Sequence, residues 1–150
     1  EEPTSTYNDA YVDEDAVSGT SLGTPTTTDP DSYVFSYTLT DALLGSYTID
    51  SSTGEVFLGN LASSLNYEEQ TNYTLSVTTT DDSGASSEVD LAIFVNDVNE
   101  KPTTYNAAVS IYENATIGEK VFEIDYTDPD ETDIWVFTID SYTSDMLKIS

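Results

Sequence analysis

Acids recur along this chain at a fixed offset. Glu14 is matched by Glu113, and Asp29-Pro30-Asp31 by Asp128-Pro129-Asp130. Each pair is 99 positions apart (113 − 14, 128 − 29), as are Pro3 and Pro102, and Gly19 and Gly118. A period held by that many anchors marks a tandem repeat. Carboxylates kept at set places in two repeats are candidate ligands rather than a generic acidic surface. The chemistry they offer is that of hard oxygen donors. The chain has no Cys and no His, so the ions that suit it are calcium or magnesium, not zinc, copper or iron.

Composition narrows the partners further. Three Lys plus Arg stand against 29 Asp plus Glu, for a net charge of −26. Such a chain repels nucleic acid and anionic membranes, and no direct membrane insertion is expected of this segment. Its natural small partners are cations. Disorder is the other reading of high charge, but 37% hydrophobic and 11% aromatic residues, in alternating runs, suffice for a core. Without Cys there is no disulfide framework. Without His or Cys the usual nucleophile–base pairs cannot form, and no enzyme is expected.

The elements that must position these acids are strands. Tyr33 to Thr40, Tyr73 to Thr80 and Glu88 to Asn96 alternate apolar with polar residues and are rich in β-branched and aromatic types. Ser46 to Asp50 and Glu55 to Leu58 are shorter strands joined across Ser51-Ser52-Thr53-Gly54, a turn composition. Asp81-Asp82-Ser83-Gly84 is the turn of a hairpin between the two long late strands. Short strands with regular turn signals over about 100 residues predict an all-β two-sheet sandwich. The expected division is 1–96 as one complete repeat, 97–101 as a linker and 102–150 as the N-terminal half of a second. Ile134 to Ile139 is expected to be a strand matching Tyr33 to Leu39, and Leu147-Lys148-Ile149 to match Tyr47-Thr48-Ile49. The half repeat reads as a window on a longer array; the alternative is completion by a strand from another chain.

These residues resemble the cadherin repeat family. Glu14 and Glu113 stand where that family has its early Glu, and Asp29 with Asp31 and Asp128 with Asp130 form its Asp-x-Asp. Leu65-Asn66-Tyr67-Glu68 looks like the mid-domain Leu-Asp-x-Glu. Asp81 stands at the Asp before the last hairpin, and Asp97-Val98-Asn99-Glu100 looks like the linker. The resemblance implies a Greek-key, immunoglobulin-like sandwich repeated in an elongated extracellular array, with calcium (Ca2+) at the linker. Carried over, Glu14, Glu68, Asp97 and Glu100 would bind the two ions nearer the first repeat, and Asp130 would bridge toward a third. Asn99 and Asp128 would hold that third ion, with the carbonyl of Val98 a further ligand. Asp29, Asp31 and Asp81 would form a half-site toward a preceding repeat. Asn66 replaces the family's mid-domain Asp and Glu100 its linker Asp, so fewer than three ions or a weakened outer site are expected. Neither Asp-x-Asp segment is an EF-hand loop, because Gly is missing at loop position six and Glu at position twelve.

Two functions follow from the resemblance. One is calcium-dependent cell adhesion, with other cadherin-like repeats as partners in cis or trans. The other is a structural subunit of an extracellular filament or matrix, possibly with strand exchange between chains. Asn72-Tyr73-Thr74 and Asn114-Ala115-Thr116 are N-glycosylation sequons, at Asn72 and Asn114. Trp135, the single tryptophan, reads as a packed strand residue rather than an adhesive anchor.

Overall fold

The computed structural model describes residues 1–40, 45–60, 65–105, 108–130 and 133–138. The chain forms two compact units, Glu1–Val98 and Asn99–Ser150. In the first unit the strands are β1 (Thr4–Thr6), β2 (Ala10–Asp13), β3 (Ser21–Gly23), β4 (Thr26–Thr28), β5 (Phe35–Leu39), β6 (Tyr47–Ile49), β7 (Val56–Leu58), β8 (Asn72–Asp81) and β9 (Ser86–Asn96). One sheet has the order β2-β9-β8-β5 and the other β3-β7-β6, and β1 pairs separately with β4. All pairs are antiparallel except β2 with β9. Among the described residues no helix is long and apolar enough to cross a membrane.

Alternation builds the core. Along β8, Leu75, Val77 and Thr79 turn inward, and along β9 Leu91, Ile93 and Val95 do. They meet Leu22, Tyr47, Val56 and Leu58 from the three-stranded sheet. The inward rows register as pairs, Leu75 opposite Leu91 and Val77 opposite Val89. Buried branched side chains in such pairs are what holds two sheets face to face. A chain of hydroxyls closes β1·β4 over this core: Ser5 bonds Thr79 at 2.8 Å and Thr27 at 2.7 Å, and the Tyr37 hydroxyl donates to Thr27 at 2.9 Å. Buried hydroxyls placed in this way satisfy one another without water.

The expected strands are present with small shifts. Tyr33 and Val34 are exposed and precede β5 rather than belonging to it. The hairpin turn lies at Asp81–Ala85, where the Gly84 amide donates to the Asp81 carbonyl. The turn between β6 and β7 is tied by Asp50. Its Oδ1 accepts the Ser52 hydroxyl at 2.6 Å, the Ser52 amide at 2.8 Å and the Thr53 amide at 3.0 Å. Gly54 follows at φ +74°, packed so closely on Pro25 and Tyr37 that a Cβ there would lie 2.7 Å from Pro25 Cγ; only glycine suits that backbone and that space.

The Ser52 hydroxyl first, then the two amides, hold the Asp50 carboxyl down at about 2. Because the folded value is depressed, this turn's contribution is complete above the unfolded value, about 3.9. It is lost as pH falls through about 2. A carboxyl-resolved NMR titration is expected to place the Asp50 midpoint near that lower value. A midpoint at the ordinary carboxylate value would mean that the turn is not tied in this way.

In the second unit, β10 (Thr103–Thr104) pairs antiparallel with β11 (Tyr126–Thr127). Thr103 faces Thr127 as Thr4 faces Thr28, so the 99-residue period (103 − 4, 127 − 28) is repeated in the pairing itself. The segment 133–138 forms no strand, contrary to expectation. Its counterpart β5 is held by a five-residue ladder to β8; 133–138 has no such ladder among the described residues. Its side chains still alternate, Trp135 and Phe137 half-buried against Tyr126 with ring centroids 5.1 and 5.4 Å away. The Leu147–Ile149 match lies outside the described residues.

Candidate metal centre

Topology brings distant acids together at one end of the first unit. Strands β2 and β9 are parallel, with Asp13 opposite Asn96. Both therefore leave the sheet at the same end, and the Glu14 amide donates to the Asn96 carbonyl at 3.2 Å. Glu14 and Asp97 are thus neighbours although 83 positions apart in sequence (97 − 14). Strand β8 begins at that end too, since Asn72 faces Phe94, and the turn before it carries Glu68. Carboxylate oxygens of Glu14, Glu68 and Asp97 lie within 4.8 Å of one another.

Glu14 is the buried member, 7% exposed. Its Oε2 accepts the Tyr67 amide at 2.8 Å and its Oε1 the Val98 amide at 2.9 Å. One side chain thereby pins the turn before β8 and the segment after β9. Each oxygen keeps a second lone pair for a further contact. Val98 meets Glu14 through its amide. Asn66 is turned to local use: its side-chain oxygen accepts the Glu69 amide at 2.8 Å.

The opposite end of the same unit gathers Asp29, Asp31 and Asp81, again with carboxylate oxygens within 4.8 Å. Phe35 of β5 faces Asp81 of β8, so the segment before β5 and the β8–β9 hairpin share this end. The ten residues of β8 separate the two acid groups by about 30 Å. Asp29 folds back on its own turn, its Oδ1 accepting the Asp31 amide at 2.8 Å and the Ser32 amide at 3.1 Å. That leaves Oδ2 buried with no hydrogen-bond partner among the described residues. Burial pushes the Asp81 carboxyl up, but the Ser83 hydroxyl and the Ala85, Ser83 and Gly84 amides outweigh it and hold it below the usual range.

Three carboxylates this close repel one another unless a cation stands among them. A buried, unpartnered carboxylate oxygen costs free energy as well, because it has left water without gaining a partner. The donor sets therefore fit a hard divalent ion: oxygens only, mixed burial, and backbone bonds that fix the carboxylates beforehand.

The remaining expected ligands lie in the second unit. The Glu100 amide donates to Asp130 Oδ2 at 2.6 Å, and the Asn99 amide group donates to Asp130 at 3.1 Å and to Asp133 at 3.0 Å. Asp128 accepts the Asp130 amide at 3.2 Å through Oδ1, as Asp29 does from Asp31. It differs at Oδ2, which takes the indole N–H of Trp135 at 2.5 Å. Asp133 and Trp135 were not read as site residues. Nothing in their spacing distinguishes them, because Asp133 has no counterpart acid in the first repeat and Trp135 stands where that repeat has Phe35.

A family model described as the cadherin domain matches residues 8–96. The chain belongs to the cadherin family. It is 33% identical over 129 residues to the Drosophila melanogaster protein "Protocadherin-like wing polarity protein stan", covering 83% of this chain and 4% of that one. It is 33% identical over 128 residues to Cadherin-17 of Mus musculus, covering 81% and 15%. This cadherin chain thus spans a small part of the relatives it matches. A crystal structure of human Protocadherin-24 superposes with a TM-score of 0.70 at 24% identity, over 87% of this chain and 62% of that one. That likeness is one of fold, the cadherin β-sandwich. Membership makes the chain an extracellular cadherin repeat.

Proposed function

We propose that this chain is a calcium-binding segment of a cadherin array, in which calcium stiffens the junction between repeats and so supports calcium-dependent cell adhesion. The observation that carries the reading is the convergence of Glu14, Glu68 and Asp97 at the end of the first unit where the chain passes on to the second. Residues 1–96 act as one repeat, 97–101 as the linker and 102–150 as part of the next. Glu14, Glu68, Asp97 and Glu100, with the Val98 carbonyl, would hold ions on the side of the first repeat. Asn99, Asp128 and Asp130 would serve an ion on the side of the second. Asp29, Asp31 and Asp81 would serve the junction at the other end, where the orphaned oxygen of Asp29 favours a cation. With Asn66 in place of a charged Asp, its oxygen accepting the Glu69 amide, the outermost position would be weakened.

Bound calcium supplies charge neutralisation. The chain's own part is to bring carboxylates from separated segments to fixed places, so that one ion ties several of them together. Without it, like charges drive the linker acids apart and the junction flexes. The partners of such an array are other cadherin-like repeats. Small-angle scattering of the whole chain is expected to show a narrower distribution of lengths in calcium than in chelator. Identical curves would sink the stiffening role.

A further inference from the structure

We propose that Asn72 carries an N-linked glycan whose first N-acetylglucosamine lies on an exposed aromatic pair, Tyr11 and Phe94, and that Asn114 uses Tyr112 in the same way. The inference needs the extracellular setting but not the calcium sites. The outward residues of β8 are Asn72, Thr74, Ser76, Thr78 and Thr80, and those of β9 are Ser86, Glu88, Asp90, Ala92, Phe94 and Asn96. Phe94 is the one aromatic among them, and it stands directly opposite Asn72. On its other side the parallel register places Tyr11 opposite Phe94. The two rings stack, centroids 5.3 Å apart and planes 21° apart. Tyr11 remains 67% exposed and Phe94 36%. Tyr11, Phe94 and Asn72 therefore form one row across three strands on the solvent face of the sheet.

The sequon itself is suitably presented. Asn72 and Thr74 are two apart on a strand, so both point outward, and both are exposed. Among the described residues the Asn72 side-chain nitrogen has only a long contact, 3.4 Å to the Thr71 hydroxyl. Side chains directly opposite across an antiparallel pair have Cβ atoms about 5 Å apart, within the span of one sugar ring linked to Asn72. The C–H face of a pyranose is apolar and electropositive, and it suits the negative face of an aromatic ring. A sugar there would cover apolar surface that the sheet leaves in water.

The second sequon has an exposed aromatic two positions before its Asn, on a turn rather than across strands. The Ala115 amide donates to the Tyr112 carbonyl at 3.1 Å, which makes Tyr112–Ala115 a β-turn with Asn114 at its third position. Tyr112 is 84% exposed beside it. The attachment is the ordinary transfer from a lipid-pyrophosphate-linked oligosaccharide. The amide nitrogen bonds to C1 of the first sugar, the C1–O bond to pyrophosphate breaks, the nitrogen loses one proton and the lipid pyrophosphate leaves.

The test uses the whole chain secreted from eukaryotic cells and trimmed by endoglycosidase to a single N-acetylglucosamine. Mass spectrometry is expected to find the sugar at Asn72 and Asn114. Relative to Asn72→Gln, the single sugar at Asn72 is expected to raise the melting temperature by about 4 °C. That gain is expected to vanish in Tyr11→Ser combined with Phe94→Ser. Should that pair fail to fold, the N-acetyl methyl protons at Asn72 are expected to show a ring-current upfield shift that Tyr11→Ser alone reduces; Tyr112→Ser does the same for Asn114. An unoccupied Asn72, an unshifted methyl signal, a gain that survives loss of the rings, or self-association through the ring pair would each overturn the proposal.

Discussion

Replacing Glu14 by Ala is expected to destabilise the first unit by about 3 kcal/mol in chelator, and by more in calcium, where a ligand is lost as well. The side chain is buried and accepts two backbone amides, from Tyr67 and Val98. Hydrogen bonds to a charged acceptor contribute about 1.5–3 kcal/mol each, and their loss leaves two amides without a partner. For a unit of this size the change corresponds to a fall of roughly 15 °C in melting temperature. Glu14→Gln keeps one acceptor oxygen but turns an NH2 group toward the other amide, so it is expected to fall between Ala and wild type. Thermal unfolding in chelator decides the matter. If Glu14→Ala melts with the wild type there, Glu14 serves only a cation, and the backbone role assigned to it is wrong.

Calcium itself is expected to stabilise the chain by several kcal/mol. A ligand present at about 100 times its dissociation constant contributes about 2.7 kcal/mol per site. Extracellular calcium modules bind at about 10⁻⁴ to 10⁻³ M, so ~10 mM calcium reaches that regime at the tighter sites. Glu68→Gln gives the sharper form of this prediction, because its sign should reverse. Glu68 is exposed and stands with Glu14 and Asp97 in the acid group. In chelator its removal relieves repulsion and leaves the melting temperature unchanged or slightly raised. In calcium it removes a ligand and lowers the melting temperature. A variant that lowers both equally would show that Glu68 acts as an ordinary fold residue and not as a ligand.

These two acids also mark how far the sequence could be read. The long strands β5, β8 and β9 were legible because each buries one face against the core, which forces alternation. The 99-residue period was legible as spacing and returns as the matched registers of β1·β4 and β10·β11. Those short pairs themselves were not, since strands of two or three residues carry no period. The motif resemblance proposed Glu14 as a ligand. It gave no sign that both Glu14 oxygens also accept backbone amides, because that depends on the parallel meeting of β2 and β9, which no local pattern encodes. The same holds for the unpartnered oxygen of Asp29 and for the indole bond that distinguishes Asp128. The described part of the Ile134 to Ile139 match, 134–138, shows the converse failure. A strand-like pattern is not a strand until a partner ladder supplies its hydrogen bonds, and 133–138 keeps only the alternation.

The measurement that tests the account most directly is equilibrium dialysis of calcium against the whole chain at neutral pH, beside Glu68→Gln. Saturable binding near 10⁻⁴ to 10⁻³ M is predicted, with about tenfold weaker binding at one site in the variant. Binding that does not saturate below about 10 mM, or isotherms that superpose for the two proteins, would contradict it.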